Sequence, residues 1–297
     1  MIECLDMSPQ TTSQVRIRRA TPEDAASCGR ICYEAFFRIN QEHNFPCDFE
    51  SPEMAHAVIS GIFAHPDLYC VVAEVDGRVV GSNCLDERSI VAGVGPITVD
   101  PDTQNRGVGR KLMDAVLDRA REQGKAGVRL VQAAFHGRSL SLYTTLGFGV
   151  REPLACVNGP AIRKSVEGCT VRPAEPADIP ACDDLSLRVH GFARGSELPQ
   201  AIEAGHARVV VRDGRITAYA SCVAFFGHAT AESNRDLQAL IASAEAIGGP
   251  GVLIPTRNAE LFRWCLANGL RVVQPMTLMS YGLYQEPSGA FWPSVLF

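Results

Sequence analysis

Hydrophobic and polar positions along the chain follow a strand pattern in some segments and a helix pattern in others. The order of these segments predicts the order of strands and helices. Apolar runs bounded by Gly, Pro, Asn or Asp predict strands, and apolar residues at i, i+3 and i+4 predict amphipathic helices. The elements predicted in the first half are a strand at 15–19, a helix at 22–37, a second helix at 52–64, a hairpin at 68–85, a strand at 91–99, a helix at 109–123, a strand at 127–134, a helix at 138–146 and a closing strand at 149–157. Strands that first meander and then alternate with helices predict a mixed sheet with helices on both faces.

The second half repeats this pattern weakly. The repeated segments are 17–24 as 171–178, 76–78 as 213–215 and 142–148 as 264–270. The second pair is Asp-Gly-Arg in both copies, and Asp-Gly between β-branched runs predicts a hairpin. The spacing between copies falls along the chain, so the second copy has lost residues in two places.

This repeat sets the expected domain organisation. A chain of 297 residues exceeds the usual size of a single domain. Glycine and proline interrupt the periodic pattern between Asn158 and Gly168. We therefore expect one domain at 1–160 and a second at 166–297, each burying its own core.

Composition narrows the class of protein. Hydrophobic residues make up 46% and charged residues 21%, which is typical of a soluble globular chain, and no apolar run approaches the roughly 18 residues of a spanning helix. The segment Met1 to Gln14 lacks the pattern of a secretory signal, so a cytoplasmic location is expected.

Charge and cysteine content exclude further classes. A net charge of −5 disfavours a nucleic-acid partner and permits a cationic amine substrate. The eleven cysteines lack a CxxC or Cys/His spacing, so we expect free thiols and no metal site.

The glycine loop at 104–109 (Gln-Asn-Arg-Gly-Val-Gly) lies between the apolar strand that ends at Asp100-Pro101 and the helix that begins near Arg110. Glycine allows a close backbone approach, and the first-turn N–H groups of a helix have no partner within it. With the helix dipole these features form an anion site suited to a diphosphate. The spacing fits neither the Walker loop nor the dinucleotide fingerprint.

The loop and a second segment together resemble the GNAT N-acetyltransferases. Gln104-x-x-Gly107-x-Gly109 is similar to the coenzyme A signature of that family, Q/R-x-x-G-x-G/A. Downstream, Leu142-Tyr143-x-x-x-Gly147-Phe148 is similar to its second signature. The resemblance implies an acetyltransferase over about residues 15–155. It also implies an α/β (α+β) fold of two tandem GNAT-like domains, each a mixed, mostly antiparallel sheet flanked by helices, with the second domain degenerate.

The resemblance also implies the binding residues for acetyl-coenzyme A. Backbone groups around Ile97, Thr98 and Val99 are expected to hold the pantetheine arm, and main-chain N–H groups of the glycine loop the pyrophosphate. The full set is Ile97, Thr98, Val99, Gln104, Asn105, Arg106, Gly107, Val108, Gly109, Arg110, His136, Ser139 and Tyr143. His136 departs from the family, which often has asparagine there.

Acetyl transfer to an amine needs a neutral nitrogen and a proton for the leaving thiolate. Tyr143 matches the family tyrosine near the sulfur, so it is either the general acid or a tyrosine packed for its ring. Asp86 and Glu87 follow the hairpin and are candidate bases, with a solvated turn as the alternative. His43, His56 and His65 fall in the variable region that builds the family's acceptor pocket, and each is either catalytic or structural.

The second half lacks the glycine loop, so we expect it to complete the acceptor cleft or to form a homodimer surface. The leading hypothesis is an N-acetyltransferase that acts on a small-molecule amine by direct attack in a ternary complex. One alternative is a protein that senses acyl-coenzyme A without turnover. Another is an enzyme that uses a different acyl group or a hydroxyl acceptor.

Overall fold

A computed structural model describes residues 14–104 and 106–296. The elements of the first half are β1 (Arg16–Arg19), α1 (Ala25–Glu42), α2 (Pro52–Ala64), β2 (Leu68–Val75), β3 (Arg78–Asp86), β4 (Val91–Val94), β5 (Thr98–Val99), α3 (Val108–Glu122), β6 (Gly127–Ala133), α4 (Gly137–Thr145) and β7 (Gly149–Asn158). Short 3-10 turns at Pro22–Asp24 and Pro101–Thr103 precede α1 and the glycine loop.

The elements of the second half are β8 (Thr170–Pro173), α5 (Ile179–His190), α6 (Leu198–Glu203), β9 (Arg208–Arg212), β10 (Arg215–Ala220), β11 (Ala229–Ala231), α7 (Asn234–Ser243), β12 (Val252–Pro255), α8 (Ala259–Ala267), β13 (Arg271–Gly282) and β14 (Ala290–Trp292). No helix within the described residues is long and apolar enough to cross a membrane.

The predicted elements of the first half are present, with one difference. The predicted strand 91–99 is two strands, because β4 ends at Val94 and β5 begins at Thr98 after a cis peptide bond between Gly95 and Pro96. Both Asp-Gly hairpins form, and Asp76 and Asp213 take positive φ of 51° and 52°.

The strands of the described residues form two sheets, of which the larger is antiparallel except between β4 and β6 and the smaller is antiparallel throughout. The larger has the order β1-β2-β3-β4-β6-β13-β7-β12, with β5 also paired to β3. The smaller has the order β14-β11-β10-β9-β8. Helices α1 and α2 cover one face of the larger sheet, and α3 packs on β2 and β3 from the other. This mixed architecture agrees with the predicted fold class.

Strand pairing crosses the predicted domain boundary. β13 lies between β6 and β7, where Leu278 is opposite Val131, and β12 continues the same sheet beyond β7. A cluster that includes Leu154, Phe192 and Phe225 joins the two halves through apolar contacts. The predicted boundary at 158–168 lies in the segment between β7 and β8. That this boundary separates two independently folding domains stays a prediction.

Candidate functional site

The slot between β4–β5 and β6 is the most distinctive opening in the larger sheet. β4 pairs in parallel with only the first three residues of β6, and the last pair is Gly93 opposite Arg129. Beyond these residues β5 pairs with β3, whereas β6 pairs with β13. The two strands therefore separate and leave a strand slot bounded by residues 95–99 on one side and 130–135 on the other.

The three predicted residues on β5 and just before it line one side of the strand slot. Ile97 and Val99 are half-buried and pack against the core under α3. Thr98 is buried, with its hydroxyl 3.5 Å from that of Ser82. Their backbone faces a partner strand only on the β3 side, so the other side is available to a ligand.

The glycine loop lies where the slot opens toward α3. Gly107 is the N-cap residue of α3 and has a φ of 76°, a conformation that favours glycine. No side chain caps α3, and the first bond back to the loop runs from the amide of Lys111 to the Gly107 carbonyl at 3.1 Å. The amides of Val108, Gly109 and Arg110 therefore have no acceptor within the helix. Asn105 lies outside the described residues.

The other predicted residues of the loop connect it to α4. Gln104 Oε1 accepts a hydrogen bond from Arg138 at 2.8 Å, and Arg110 donates to the Thr145 hydroxyl at 3.0 Å. A Cβ added at Gly109 would lie 3.4 Å from Leu142. Arg106 is exposed at the tip of the loop.

On the β6 side, His136 and Ser139 lie at the start of α4. His136 is its N-cap residue but gives no side-chain cap, and burial followed by the nearby Arg138 and His43 lowers the pKa of its ring. The Ser139 hydroxyl is 2.9 Å from the His136 carbonyl and 3.2 Å from Gln132 Oε1. The first turn of α4 thus has no side-chain cap.

Gln132 is a candidate binding residue that sequence reasoning missed. It is only 4% exposed, yet its Nε2 has no hydrogen-bond partner among the described residues. A buried donor without a partner is costly, so the position suits a ligand that brings an acceptor. A polar residue at an inward-facing position of the strand 127–134 was the available sequence signal.

Tyr143 is buried on α4, with its ring centroid 6.2 Å from that of Phe148. Burial raises the pKa of its phenol well above the ordinary value, so the hydroxyl stays protonated at neutral pH. No group among the described residues hydrogen-bonds to this hydroxyl. The phenol can donate a proton, and its catalytic role stays a prediction.

The two predicted bases are both held by arginines. Asp86 accepts from Arg88 Nε at 2.9 Å, and Glu87 accepts from Arg119 Nε at 2.7 Å. Their side chains are only 18% and 17% exposed, so neither is a solvated turn residue. Glu87 lies toward α3, whereas Asp86 borders a cavity between the halves. A role as base stays a prediction for both, and the ion pairs give it no support.

That cavity has a volume of about 420 Å³ and is lined by both halves, including Asp86, Gly93, Glu197, Ser221, Phe226 and His228. Arg194 and Glu197 form a buried ion pair at 2.7 Å beside it. Burial, and after it the nearby Arg194, lowers the pKa of His228 well below its usual value. The charged groups there are already paired with one another.

The three histidines of the variable region, His43, His56 and His65, do not lie together. The ring of His43 is 5.2 Å from that of Phe135 at the mouth of the slot, whereas His56 and His65 make local contacts on and after α2. Among the described residues no three His, Cys, Asp or Glu side chains are grouped as metal ligands.

Comparison with known proteins supports the resemblance in the first half. Residues 33–148 match the family model described as the acetyltransferase (GNAT) family. The chain is 28% identical over 108 residues to the IAA acetyltransferase of Azospirillum brasilense, across 36% of this chain and 71% of that protein. It is 32% identical over 88 residues to the uncharacterized N-acetyltransferase MJ1207 of Methanocaldococcus jannaschii, across 27% of this chain and 39% of that protein.

A solved structure has a similar fold over both halves. The crystal structure of a proposed acetyltransferase from Pyrococcus horikoshii superposes with a TM-score of 0.73 at 20% identity, and covers 97% of each chain. At this identity the likeness concerns the fold alone. It extends through the second half, beyond residues 33–148 that match the family model.

Proposed function

We propose that this chain transfers an acetyl group from acetyl-coenzyme A to the amine of a small molecule. The premise is that residues 33–148 form an acetyltransferase domain of the GNAT family. The observation that carries the proposal is the uncapped start of α3 at the open end of the strand slot. A helix start without a side-chain cap retains its N–H groups and its partial positive charge for an anion.

The residues present fit coenzyme A. The amides of Val108, Gly109 and Arg110 would hold the pyrophosphate, and backbone groups of Ile97 and Val99 would hold the pantetheine arm. Gln132 Nε2 is a buried donor that an amide oxygen of that arm would satisfy. When bound, the thioester supplies the acetyl group.

Within this proposal Tyr143 provides the proton for the departing sulfur. Its phenol carries its proton at neutral pH, as a general acid must before it donates. The amine attacks directly, so both substrates are bound together.

We infer that residues 166–297 form a copy of the same fold that has lost the anion site. The matching Arg18–Asp24 and Arg172–Asp178 ion pairs, at 2.7 and 2.6 Å, support a common origin of the two halves. The two Asp-Gly hairpins support it as well.

Calorimetry with coenzyme A and acetyl-coenzyme A tests binding, and thiol release with amino acids, polyamines and aminoglycosides tests turnover. We expect uptake of both ligands and release of thiol with at least one amine. Absence of uptake would overturn the proposal. Uptake without turnover on any amine or alcohol would favour a sensor of acyl-coenzyme A.

Replacing Tyr143 with Phe separates the two roles of this residue. We expect kcat to fall about 10²-fold while the affinity for acetyl-coenzyme A stays within about twofold, because only the proton donor is removed. An unchanged kcat would show that Tyr143 serves only packing. Ser141→Ala on the same helix is the matched control, since it also removes one hydroxyl, whose bond is to the Gly137 carbonyl at 2.8 Å.

A further inference from the structure

Asp48 differs from the carboxylates that the sequence singled out. It lies in the loop between α1 and α2 and is half-buried. No basic side chain of the described residues pairs with it, whereas Asp86 and Glu87 are each held by an arginine. A carboxylate that is largely removed from water and lacks a cation is unfavourable in its charged form.

The partner of Asp48 is an amide from the other end of the chain. Gln274, on β13, donates from Nε2 to Asp48 Oδ1 at 2.7 Å. Gln274 is 1% exposed, and its Oε1 has no donor among the described residues. Asn40 on α1 also faces the carboxylate, although its Nδ2 lacks the geometry of a full hydrogen bond. The cluster therefore contains one buried acceptor, Gln274 Oε1, that no group among the described residues satisfies.

The loop that carries Asp48 lies across the strand slot. On one side α1 packs against β5. On the other, the ring of Phe45 stacks on that of Phe135 after β6, with centroids 4.3 Å apart. Gln274 is two residues before Met276, which is opposite Ala133 at the end of β6. Gln274 itself is opposite Cys156 of β7. Asp48 is thus held over β13, the strand next to β6, and its loop reaches the slot through Phe45.

We propose that Asp48 and Gln274 bind the nitrogen of the acceptor amine and that Asp48 takes its proton. This proposal rests on the proposed function. An ammonium ion has three donors and a positive charge, so it would satisfy the carboxylate and Gln274 Oε1 together.

The reaction balances with these groups. Asp48 accepts one proton from the ammonium, and the neutral nitrogen then forms a bond to the carbonyl carbon while the carbon–sulfur bond breaks. The second proton of the nitrogen passes to the leaving thiolate, by way of Tyr143 in the proposed mechanism. The Asp48 proton returns to water.

The surroundings of Asp48 suit a proton acceptor. Burial raises the pKa of its carboxyl, and the contacts with Gln274 and Asn40 only partly offset this effect. The other titratable groups that interact with it are the thiols of Cys32, Cys47 and Cys156, whose own pKa values are raised by burial. Burial keeps these thiols protonated around pH 7, which leaves the carboxyl of Asp48 as the group of this cluster that can accept a proton.

Asp48→Asn tests the proposal, with Glu50→Gln as the control, because Glu50 is an exposed carboxylate of the same loop. We expect kcat/KM for the amine to fall about 10²-fold in Asp48→Asn and to stay unchanged in Glu50→Gln. The affinity for coenzyme A should be the same in all three proteins.

The pH profile distinguishes a base from a structural residue. In the wild type kcat/KM should level off well below the amine's own pKa, because the enzyme binds the ammonium form. In Asp48→Asn it should keep rising toward that pKa, about 10 for a lysine-like amine, because only the neutral form can react.

Gln274→Met provides a second test should Asp48→Asn fail to fold. It removes the unpaired oxygen together with the Nε2 donor to Asp48, and it should raise KM for the amine about tenfold without a change in coenzyme A affinity. Equal kcat/KM and pH profiles in wild type and Asp48→Asn, or an unchanged amine KM in Gln274→Met, would overturn the inference alone. Absence of coenzyme A uptake by the wild type would overturn the proposed function itself.

Discussion

The helix starts of α3 and α7 differ in how their first amides are satisfied. Both helices follow strands of their own half and pack on the hairpin strands of that half. α3 begins after Gly107 without a side-chain cap. α7 begins after Ser233, whose Oγ accepts from the amide of Asp236 and also donates to its carboxylate. One helix start is open to a ligand, and the other is closed by its own residues.

The carboxylate of Asp236 places a negative charge within the first turn of α7. It is fully buried and accepts hydrogen bonds from Arg212 at 3.0 Å and from Thr217 at 2.7 Å. The next helices repeat the contrast, because His136 leaves α4 uncapped whereas Asn258 Oδ1 accepts from the amide of Leu261 at 3.3 Å in α8. A helix start that holds its own oxygen acceptor gains stability and has less to offer a diphosphate.

The largest effect is expected from a negative charge at the open helix start. Gly107→Asp should weaken coenzyme A binding about 10²-fold, because the carboxylate opposes the pyrophosphate at the same amides. Gly107→Asn is the matched control, since both residues tolerate positive φ and have nearly the same shape. Calorimetry should give an affinity for the Asp variant at least about tenfold below that of the Asn variant, a gap of about 1.4 kcal/mol. Equal affinities would show that the loop holds no anion.

Asp236→Asn should have a smaller effect, and one on stability alone. Loss of the charged bond to Arg212 should lower the free energy of unfolding by about 2 kcal/mol, measured by urea denaturation. Coenzyme A affinity should not change, because Asp236 lies in the second half and the proposed coenzyme A site lies in the first. A change in affinity would contradict the assignment of binding to the first half.

Asp236→Asn should also change how the free energy of unfolding depends on pH. Burial alone would raise the pKa of Asp236, but bonds from Arg212, Ser233 and Thr217 more than offset it, and the pKa is lowered. The stability that this shift contributes is present above the unfolded pKa, about 4, and is lost as pH falls through the folded value. Wild type should therefore lose more stability than Asp236→Asn below about pH 4. Asp24 and Asp178, whose pKa values are also lowered by their arginines, act equally in both proteins.

The smallest effect is expected from substitutions at the starts of α4 and α8. His136→Asn should raise the free energy of unfolding by about 0.5 to 1 kcal/mol, because asparagine can cap α4 as Asn258 caps α8. Asn258→His should lower it by a similar amount. Urea denaturation of both variants checks the pair, and a destabilised His136→Asn would show that the imidazole has a contact that asparagine cannot replace.

Local features of the fold followed from the sequence, and long-range pairings did not. The helix predicted at 52–64 has those bounds in the structure, since Ser51 caps it and proline begins it. The division of strand 91–99 was visible only as Gly95-Pro96. The insertion of β13 between β6 and β7 had no local signal, because pairing over such a distance depends on the whole chain.

The candidate site also has a part that a local sequence pattern predicts and a part that depends on long-range contacts. The glycine loop has a contiguous pattern and could be predicted. Asp48 and Gln274 are separated by 226 positions, and neither belongs to a motif, so only their contact in the fold reveals them. The closed start of α7 could have been predicted, because Ser233-x-x-Asp236 is the pattern of a capped helix.

The position of β13 also governs how the chain is made. The first sheet cannot be completed on the ribosome until residue 282 has been synthesised, since that strand fills the space between β6 and β7. A product truncated near residue 160 would expose two strand edges to pairing with other chains. The second half therefore supplies strands that the larger sheet needs, and two separate chains divided near residue 160 would each expose unpaired strand edges.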